Sequence, residues 1–383
     1  MTHQTENLII GAGPAGLAMA GRFSHHQIPY LLIEQSDTTV NAWRNHYDRV
    51  HLHTIKRFSY LPYREFPEEY PRYVPREKLV EYYDNYCKDF EIKPITNQEA
   101  VSVKKTDEGW ETQTKDGNTY LSQNVIVCTG YNRVVNAPVW PGMENFQGVI
   151  WHSREYRNGA PFKGKKVLVV GMGNTGAELA IDLHEHGAIP FLSVRGPVNI
   201  TLRDLNGRPT QLTAIQLQKL PTWMGDWIGK QLSRLAVGNL EKYGIPQSTM
   251  APAKQLRLYG KTPVIDVGTI KLIKEGKVKV FPGIQSFTQT GIIFTDNREE
   301  SFDAVILATG YHPKVEEFIE DTTGIFNELG LPGEVSFDQH PGLYFLGFDA
   351  YTSGILNSIH RNSEVIVNKI MGGEAVTISH WLF

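Results

Sequence analysis

Short apolar runs and glycine-rich turns alternate near the start of the chain. Residues 7–10 are largely apolar, residues 11–16 read GAGPAG, and residues 17–20 are apolar again. A second apolar run at 30–33 ends in Glu34. This pattern predicts a buried strand, a tight turn, a helix and a second parallel strand.

The same order returns 160 residues later. An apolar run at 166–170 leads into GMGNTG at 171–176, and a further strand-like run at 190–194 leads to Arg195. Similar strands that end in Thr-Gly-Tyr, at 124–131 and 304–311, close the two stretches. The repeat predicts an α/β fold with two Rossmann-like dinucleotide-binding domains.

The spacing of these motifs predicts that the second domain is inserted into the first. We expect the first domain to span residues 1–160 and 286–383, with a late strand at 342–348 and a helix that begins after it. The second domain is expected at 161–285.

A helix-forming segment at about 205–260 interrupts the second domain and carries apolar side chains such as Trp223 and Trp227. Three interpretations stay open for it, namely a substrate lid, a dimer surface and a membrane-facing patch. The segment has few lysines, which makes the membrane patch the weakest of the three.

The first glycine turn has the chemistry of a pyrophosphate site. Gly11, Gly13 and Gly16 let the backbone approach a phosphate at a helix N-terminus, and Glu34 is placed to accept a ribose hydroxyl. A carboxylate favours a free ribose, so we expect FAD here. An aromatic, proline-rich stretch that begins at Trp43 suits either a lid over a flat cofactor or plain aromatic packing. Further candidates for contact with FAD are Pro14, Ala15, Gln35, Trp43, Arg44, Val101, Thr129, Gly130, Gly354 and Ile355.

The second glycine turn differs from the first at the acidic position. Arg195 stands where the first stretch has Glu34, and a guanidinium can hold a 2′-phosphate through charge-assisted hydrogen bonds. We therefore expect NADPH at this turn, with Ser193 as a helper at the same phosphate. The remaining candidates for this site are Gly171, Gly173, Asn174, Thr175, Gly176, His152, Thr309, Gly310 and Tyr311.

Composition excludes several other classes of function. The chain has 383 residues, 41% hydrophobic and 21% charged, with a net charge of −3. This near balance of charge argues against a nucleic-acid partner. Two cysteines without a CxxC pair argue against disulfide scaffolds, zinc ribbons and dithiol chemistry, and the histidines show no metal-ligand spacing. We expect a cytoplasmic protein without a transmembrane segment or a metal.

Residues 146–157, FQGVIWHSREYR, resemble the FxGxxxHxxxY(R/K) sequence of the class B flavin-dependent monooxygenases. With both glycine turns and the LATGY strand at 307–311, the resemblance covers essentially the whole chain. The ending Tyr156-Arg157 is similar to the flavin-containing monooxygenases, and residues 47–54 are similar to the plant YUCCA and bacterial members.

This resemblance implies an enzyme that uses NADPH, FAD and O2 to form a C4a-(hydro)peroxyflavin. The flavin would then oxygenate small soft nucleophiles such as thioethers and amines, or a carbonyl or 2-oxo acid. The family habit implies a homodimer. By spacing, His53 falls where many flavin-containing monooxygenases carry an asparagine, so we hypothesise that His53 stabilises the peroxyflavin. The alternatives are a reductase or NADPH oxidase that transfers no oxygen to a substrate, and a flavin-binding protein without enzymatic activity.

Overall fold

Parallel pairing of short apolar strands organises the computed structural model, which describes residues 1–349 and 352–373. The helices of this part of the chain are α1 (Pro14–His25), α2 (Asn41–Arg44), α3 (Arg76–Asp89), α4 (Asn174–Glu185), α5 (Thr210–Leu217), α6 (Thr222–Val237), α7 (Pro252–Tyr259), α8 (Thr269–Lys274) and α9 (Ile355–Ile370). Its strands are β1 (Thr2–Ile10), β2 (Leu31–Ile33), β3 (Ala100–Thr106), β4 (Gly109–Thr114), β5 (Thr119–Val127), β6 (Val134–Val135), β7 (Val149–His152), β8 (Lys166–Val170), β9 (Ile189–Ser193), β10 (Ile200–Leu202), β11 (Asp204–Leu205), β12 (Arg208–Pro209), β13 (Val264–Asp266), β14 (Lys279–Phe281), β15 (Ile284–Phe287), β16 (Gly291–Phe294), β17 (Glu299–Ser301), β18 (Ala304–Leu307), β19 (Tyr311–His312) and β20 (Leu343–Phe345).

The described chain divides into two compact units. The first unit comprises residues 1–44, 54–134 and the chain from 312 on, and the second comprises residues 45–53 and 135–311. One unit is thus inserted in the sequence of the other, as the motif spacing predicts.

The first unit is built on a sheet of order β2-β1-β5-β4-β3, with β20 also paired to β5. Strands β2, β1, β5 and β20 run parallel, whereas β3 and β4 add an antiparallel meander. The apolar runs that mark β1 and β5 in the sequence are fully buried, with Leu8 and Val125 both 0% exposed. The late strand β20 returns to this sheet and is followed by α9, as expected.

The second unit is built on a sheet of order β14-β9-β8-β18-β7, in which all pairs are parallel. A three-stranded antiparallel sheet, β15-β16-β17, belongs to the same unit. Phe294 of this small sheet and Phe281 of the main sheet belong to one hydrophobic core. Their rings stack with the centroids 4.3 Å apart.

The borders of the units differ from the predicted 160 and 286. Strand β7 pairs with β18 inside the second sheet, and β15–β17 cover the second core. The short segment 45–53 also belongs to the second unit. The glycine motifs locate the centres of the domains, whereas these borders are set by strand pairing over long sequence separations.

Helices α5, α6 and α7 form the predicted interruption of the second unit, between β12 and β13. On α6 two tryptophans are largely exposed, Trp223 at 73% and Trp227 at 62%. The structure thus shows the apolar face that the sequence indicates.

Candidate active site

The first glycine turn joins β1 to α1 and brings backbone atoms into close contact. A β-carbon at Gly16 would lie 1.8 Å from the Gly11 carbonyl oxygen, and one at Gly11 would lie 2.9 Å from the Cys128 carbonyl oxygen. Gly13, at the N-cap of α1, is different because a β-carbon there would meet no heavy atom within 4 Å. The turn therefore leaves a side-chain-free space in front of the helix N-terminus, as a pyrophosphate requires.

Glu34 follows β2 beside this turn and is buried. Its Oε2 accepts a hydrogen bond from the Ala12 amide at 2.6 Å, and its Oε1 accepts one from the Ser36 amide at 2.9 Å. These two bonds fix the carboxylate while each oxygen keeps acceptor capacity for a ribose hydroxyl. Gln35, the next residue, is exposed.

The end of β5 completes this edge of the first sheet. Thr129 Oγ1 is buried without a hydrogen-bond partner among the described residues, and Gly130 has a φ of +70°. Since β2, β1 and β5 are parallel neighbours, their carboxyl ends bring Glu34, the glycine turn and Thr129 to one edge. An orphaned hydroxyl at this edge fits a site that a ligand fills.

The other candidates of the first unit lie on separate elements. Trp43 and Arg44 lie on α2, where Arg44 Nε donates to the Thr39 carbonyl at 2.9 Å and the guanidinium pairs with Asp84. Val101 in β3 is 44% exposed. Gly354 is the N-cap of α9, and Ile355 is the first residue of that helix.

The second glycine turn repeats the geometry of the first. A β-carbon at Gly176 would lie 2.0 Å from the Gly171 carbonyl oxygen, and one at Gly171 would lie 2.7 Å from the Ala308 carbonyl oxygen. Gly173, at the N-cap of α4, again faces open space. Asn174 Oδ1 accepts from the Ile265 amide at 2.6 Å and so ties the start of α4 to β13. Two matching cradles are thus present, one in each unit.

Arg195 and Ser193 differ in what they offer a ligand. Arg195 follows β9, is exposed, and forms no ion pair within the described part of the chain. Ser193 is 3% exposed, and its hydroxyl donates to the Pro282 carbonyl at 2.7 Å. The Ser193 hydroxyl proton thus faces the backbone in this structure, whereas the Arg195 guanidinium is open to solvent, and the part of Ser193 at a phosphate stays a prediction.

His152 lies beside the end of β18. Its Nε2 lies 3.2 Å from the Gly310 carbonyl oxygen and its Nδ1 accepts from the Arg154 amide at 3.1 Å, and burial lowers the pKa of the ring. The ring meets Tyr311 edge-on at 5.0 Å, and the Thr309 hydroxyl donates to the Asn136 carbonyl. The structure thus brings His152, Thr309, Gly310 and Tyr311 together around one strand end.

The remaining part of the FxGxxxHxxxY(R/K) sequence holds chain segments together. Tyr156 OH donates to Asp182 Oδ2 at 2.5 Å, and the Gly159 amide donates to the same oxygen at 2.8 Å. Burial and the Asp182 carboxylate raise the pKa of Tyr156. Arg157 donates to the His46 carbonyl at 3.0 Å and so fixes the segment 45–53.

We expect Tyr156→Phe to lower the free energy of unfolding by about 1–3 kcal/mol, because it leaves a buried Asp182 carboxylate oxygen with one donor fewer. Urea denaturation followed by circular dichroism measures this change. Tyr259→Phe, at a 53% exposed tyrosine of the same unit, is the matched control and should change stability by less than about 0.5 kcal/mol. An equal effect of the two variants would contradict this account.

His53 lies at the end of the segment 45–53. Its Nε2 is 2.8 Å from Oε1 of Glu178, a carboxylate on α4 that is 4% exposed. Tyr47 is buried nearby and hydrogen-bonds to Glu178 and Thr175; its burial and the Glu178 charge raise its pKa well above the usual value. Sequence reasoning missed Glu178 and Tyr47. The available signal was Glu178 and Asp182, two carboxylates four residues apart within the otherwise apolar stretch 176–183.

Metal-binding groups and membrane-crossing helices are both absent from the described part of the chain. In residues 1–349 and 352–373, no group of three or more His, Cys, Asp or Glu side chains is arranged to hold a metal ion. Over the same residues, no helix combines the length and the apolar character needed to cross a membrane.

Comparison with known proteins relates this arrangement to one family. Residues 9–328 match the family described as flavin-binding monooxygenase-like. Indole-3-pyruvate monooxygenase YUCCA1 of Oryza sativa subsp. japonica is 38% identical over 349 residues, which cover 89% of this chain and 86% of that protein. The probable indole-3-pyruvate monooxygenase YUCCA3 of Arabidopsis thaliana is 35% identical, with 89% and 81% covered.

Solved structures confirm the fold class. A flavin-containing monooxygenase from Stenotrophomonas maltophilia superposes with a TM-score of 0.72 at 19% identity, covering 97% of this chain and 99% of that one. The NADP+-bound cyclohexanone monooxygenase from Rhodococcus sp. Phi1 gives 0.73 at 16% identity, with 97% and 85% covered. The family match confirms the predicted enzyme class and the predicted cofactors, FAD and NADPH. The chain belongs to the flavin-binding monooxygenase-like family.

Proposed function

We propose that the first unit binds FAD, that the second unit binds NADPH, and that the enzyme uses both with O2 to oxygenate a 2-oxo acid. One observation supports the assignment of the cofactors to the units. The two glycine turns have matching geometry, but the strand that follows leads to a buried carboxylate, Glu34, in one unit and to an exposed guanidinium, Arg195, in the other.

In the first unit the chain's own residues hold and orient the dinucleotide. The free amides at the start of α1 face the pyrophosphate across the open side of Gly13, and the Glu34 carboxylate accepts a ribose hydroxyl. Thr129 Oγ1 gains the hydrogen-bond partner that it lacks among the described residues. When bound, FAD supplies the electron storage and the activation of O2 that no side chain can supply.

In the second unit the amides at the start of α4 face the pyrophosphate of NADPH across the open side of Gly173. Arg195 binds the 2′-phosphate at the end of β9, where its charge is not neutralised by a described carboxylate. Because NADH lacks this phosphate, Arg195 selects between the two nucleotides.

The names of the relatives support a 2-oxo acid as the substrate class, since proteins 34–38% identical over 89% of this chain are named as indole-3-pyruvate monooxygenases. The balanced reaction is RCOCOOH + O2 + NADPH + H⁺ → RCOOH + CO2 + NADP⁺ + H2O. The bond between the two carbonyl carbons breaks, one oxygen atom enters the new carboxylic acid, and the other leaves as water.

We expect the purified holoenzyme to release one CO2 from carboxyl-labelled indole-3-pyruvate for each NADPH and O2 consumed. Measuring the three quantities together tests both the substrate class and the reaction. A thioether, a tertiary amine and a cyclic ketone are the comparison substrates, and oxygenation of one of them without CO2 release from the oxo acid would overturn the choice of substrate. Stoichiometric hydrogen peroxide with every substrate would instead favour the reductase or oxidase alternative.

A cytoplasmic location and a homodimer are further parts of this proposal. The exposed tryptophans of α6 support a self-association surface, because large apolar side chains grouped on one face are costly in water. Sedimentation of the wild type and of a Trp223→Ser, Trp227→Ser double variant tests the dimer. Equal sedimentation of both as a monomer would contradict it.

A further inference from the structure

The carboxylate of Glu178 lies on the second turn of α4, directly after the glycine turn of the second unit. Its side chain is 4% exposed, and its Oε1 is 2.8 Å from His53 Nε2. The two atoms are in close polar contact, although the angle falls short of a regular hydrogen bond. Two lone pairs at this distance would repel each other, so the nitrogen that faces the carboxylate carries a proton.

Several contacts hold His53 in this place. The Asp48 amide donates to the Arg157 carbonyl at 2.8 Å, and Asn158 Nδ2 donates to Asp48 Oδ2 at 2.8 Å. Arg49 pairs with Glu185 of α4 at 2.5 Å. The segment 45–53 is thus attached to α4 and to the loop after β7, and its last residue meets Glu178.

The other ring nitrogen of His53 is Nδ1. Nδ1 is buried and has no hydrogen-bond partner among the described residues, although the side chain as a whole is 21% exposed. A buried polar atom without a partner is destabilising, so such an atom close to the second glycine turn points to a ligand contact.

We propose that Glu178 is a positioning residue for His53. It keeps the proton on Nε2 and the ring in one orientation, so that Nδ1 accepts a hydrogen bond from a ribose hydroxyl or the carboxamide of the bound nicotinamide nucleotide. The inference rests on the proposal that the second unit binds NADPH. Glu178 touches neither cofactor nor substrate and acts through His53.

The competing explanation is that Glu178 only stabilises the fold, since Tyr47 also hydrogen-bonds to it. The two explanations differ in the state of the His53 ring. The Tyr47 hydroxyl donates a hydrogen bond to the Glu178 carboxylate. In Glu178→Gln we therefore expect Tyr47 to donate to the amide oxygen and the amide nitrogen to face His53. His53 Nε2 must then accept, and the ring proton moves to Nδ1.

The first test is nitrogen NMR of histidine-labelled holoenzyme without nicotinamide nucleotide, with the His53 signal assigned by its loss in His53→Ala. We expect the Nε2-protonated tautomer in the wild type and the Nδ1-protonated tautomer in Glu178→Gln. Tyr47→Phe should lower the unfolding temperature and keep the wild-type tautomer, and Glu241→Gln, at an exposed carboxylate of the same unit, should leave both unchanged. The wild-type tautomer in Glu178→Gln would overturn the proposal.

The second test is a double-mutant cycle on the dissociation constant of NADP+, measured by titration calorimetry. We expect Glu178→Gln to weaken binding about tenfold in the wild type and by less than about twofold in His53→Ala, because the effect passes through His53. An effect of Glu178→Gln that is undiminished in His53→Ala, or no effect in either background, would overturn the inference. If instead Gly173→Val leaves NADP+ binding unchanged, the assignment of NADPH to the second unit fails, and the two failures are thereby distinguished.

Discussion

Gly13→Val is expected to weaken FAD binding by about 100-fold and to leave the chain folded. Gly13 has φ −76° and ψ −174°, an extended conformation that valine adopts readily, and its β-carbon would meet no protein atom within 4 Å. The added methyl groups would occupy the space where a pyrophosphate approaches α1, and such a steric conflict costs about 3 kcal/mol. Flavin absorbance after gel filtration measures retained FAD, and circular dichroism measures folding.

Gly173→Val is the matched variant in the second unit, where φ is −92° and ψ −172°. It should retain FAD and lose NADP+ binding, so the two variants together test which unit holds which cofactor. Gly16→Ala is the contrast, because its β-carbon would lie 1.8 Å from the Gly11 carbonyl oxygen and should prevent the turn from forming. Loss of FAD in Gly173→Val with retention in Gly13→Val would reverse the assignment.

Arg195→Ala is expected to raise the KM for NADPH by about 10- to 100-fold, the equivalent of one or two charge-assisted hydrogen bonds to a phosphate. The KM for NADH should change by less than about twofold, since NADH has no 2′-phosphate. Steady-state oxidation of both nucleotides by the FAD-saturated enzyme measures the ratio.

Arg298→Ala is the control for this variant, because Arg298 is an exposed arginine of the same unit that pairs with Asp296 at 2.7 Å. It should leave both KM values unchanged. Equal increases for NADPH and NADH in Arg195→Ala would mean that Arg195 does not contact the 2′-phosphate. The selectivity would then come from another group of the second unit.

Local sequence patterns predict those parts of the fold whose geometry depends on residues close together in the chain. The glycine turns, Glu34 and Arg195 could be predicted because tight turns and strand ends require particular residues at fixed spacing. The hydrogen bond from the Ser193 hydroxyl to the Pro282 carbonyl could not be predicted, since the pattern of a strand does not show which loop packs against its end.

The contact between His53 and Glu178 shows the same limit more clearly. The two residues are 125 positions apart in the sequence, and the segment 45–53 has no helix or strand period. Its place in the second unit depends on Arg157, Asn158 and Glu185, whose hydrogen bonds and ion pair span more than 100 residues. Only a charged residue inside the apolar pattern of α4 hinted at a buried partner.

The segment 45–53 also sets a condition for engineering this enzyme by exchange of domains. The second unit is not one continuous piece of gene, because residues 45–53 are encoded ahead of residues 135–311. A chimera that replaces only residues 135–311 would combine the native His53 with α4 of another parent. His53 and its partner Glu178 would then no longer come from the same protein. Recombination libraries that carry both pieces from one parent preserve this pair, so parental origin at 45–53 should covary with that at 174–185 among active chimeras.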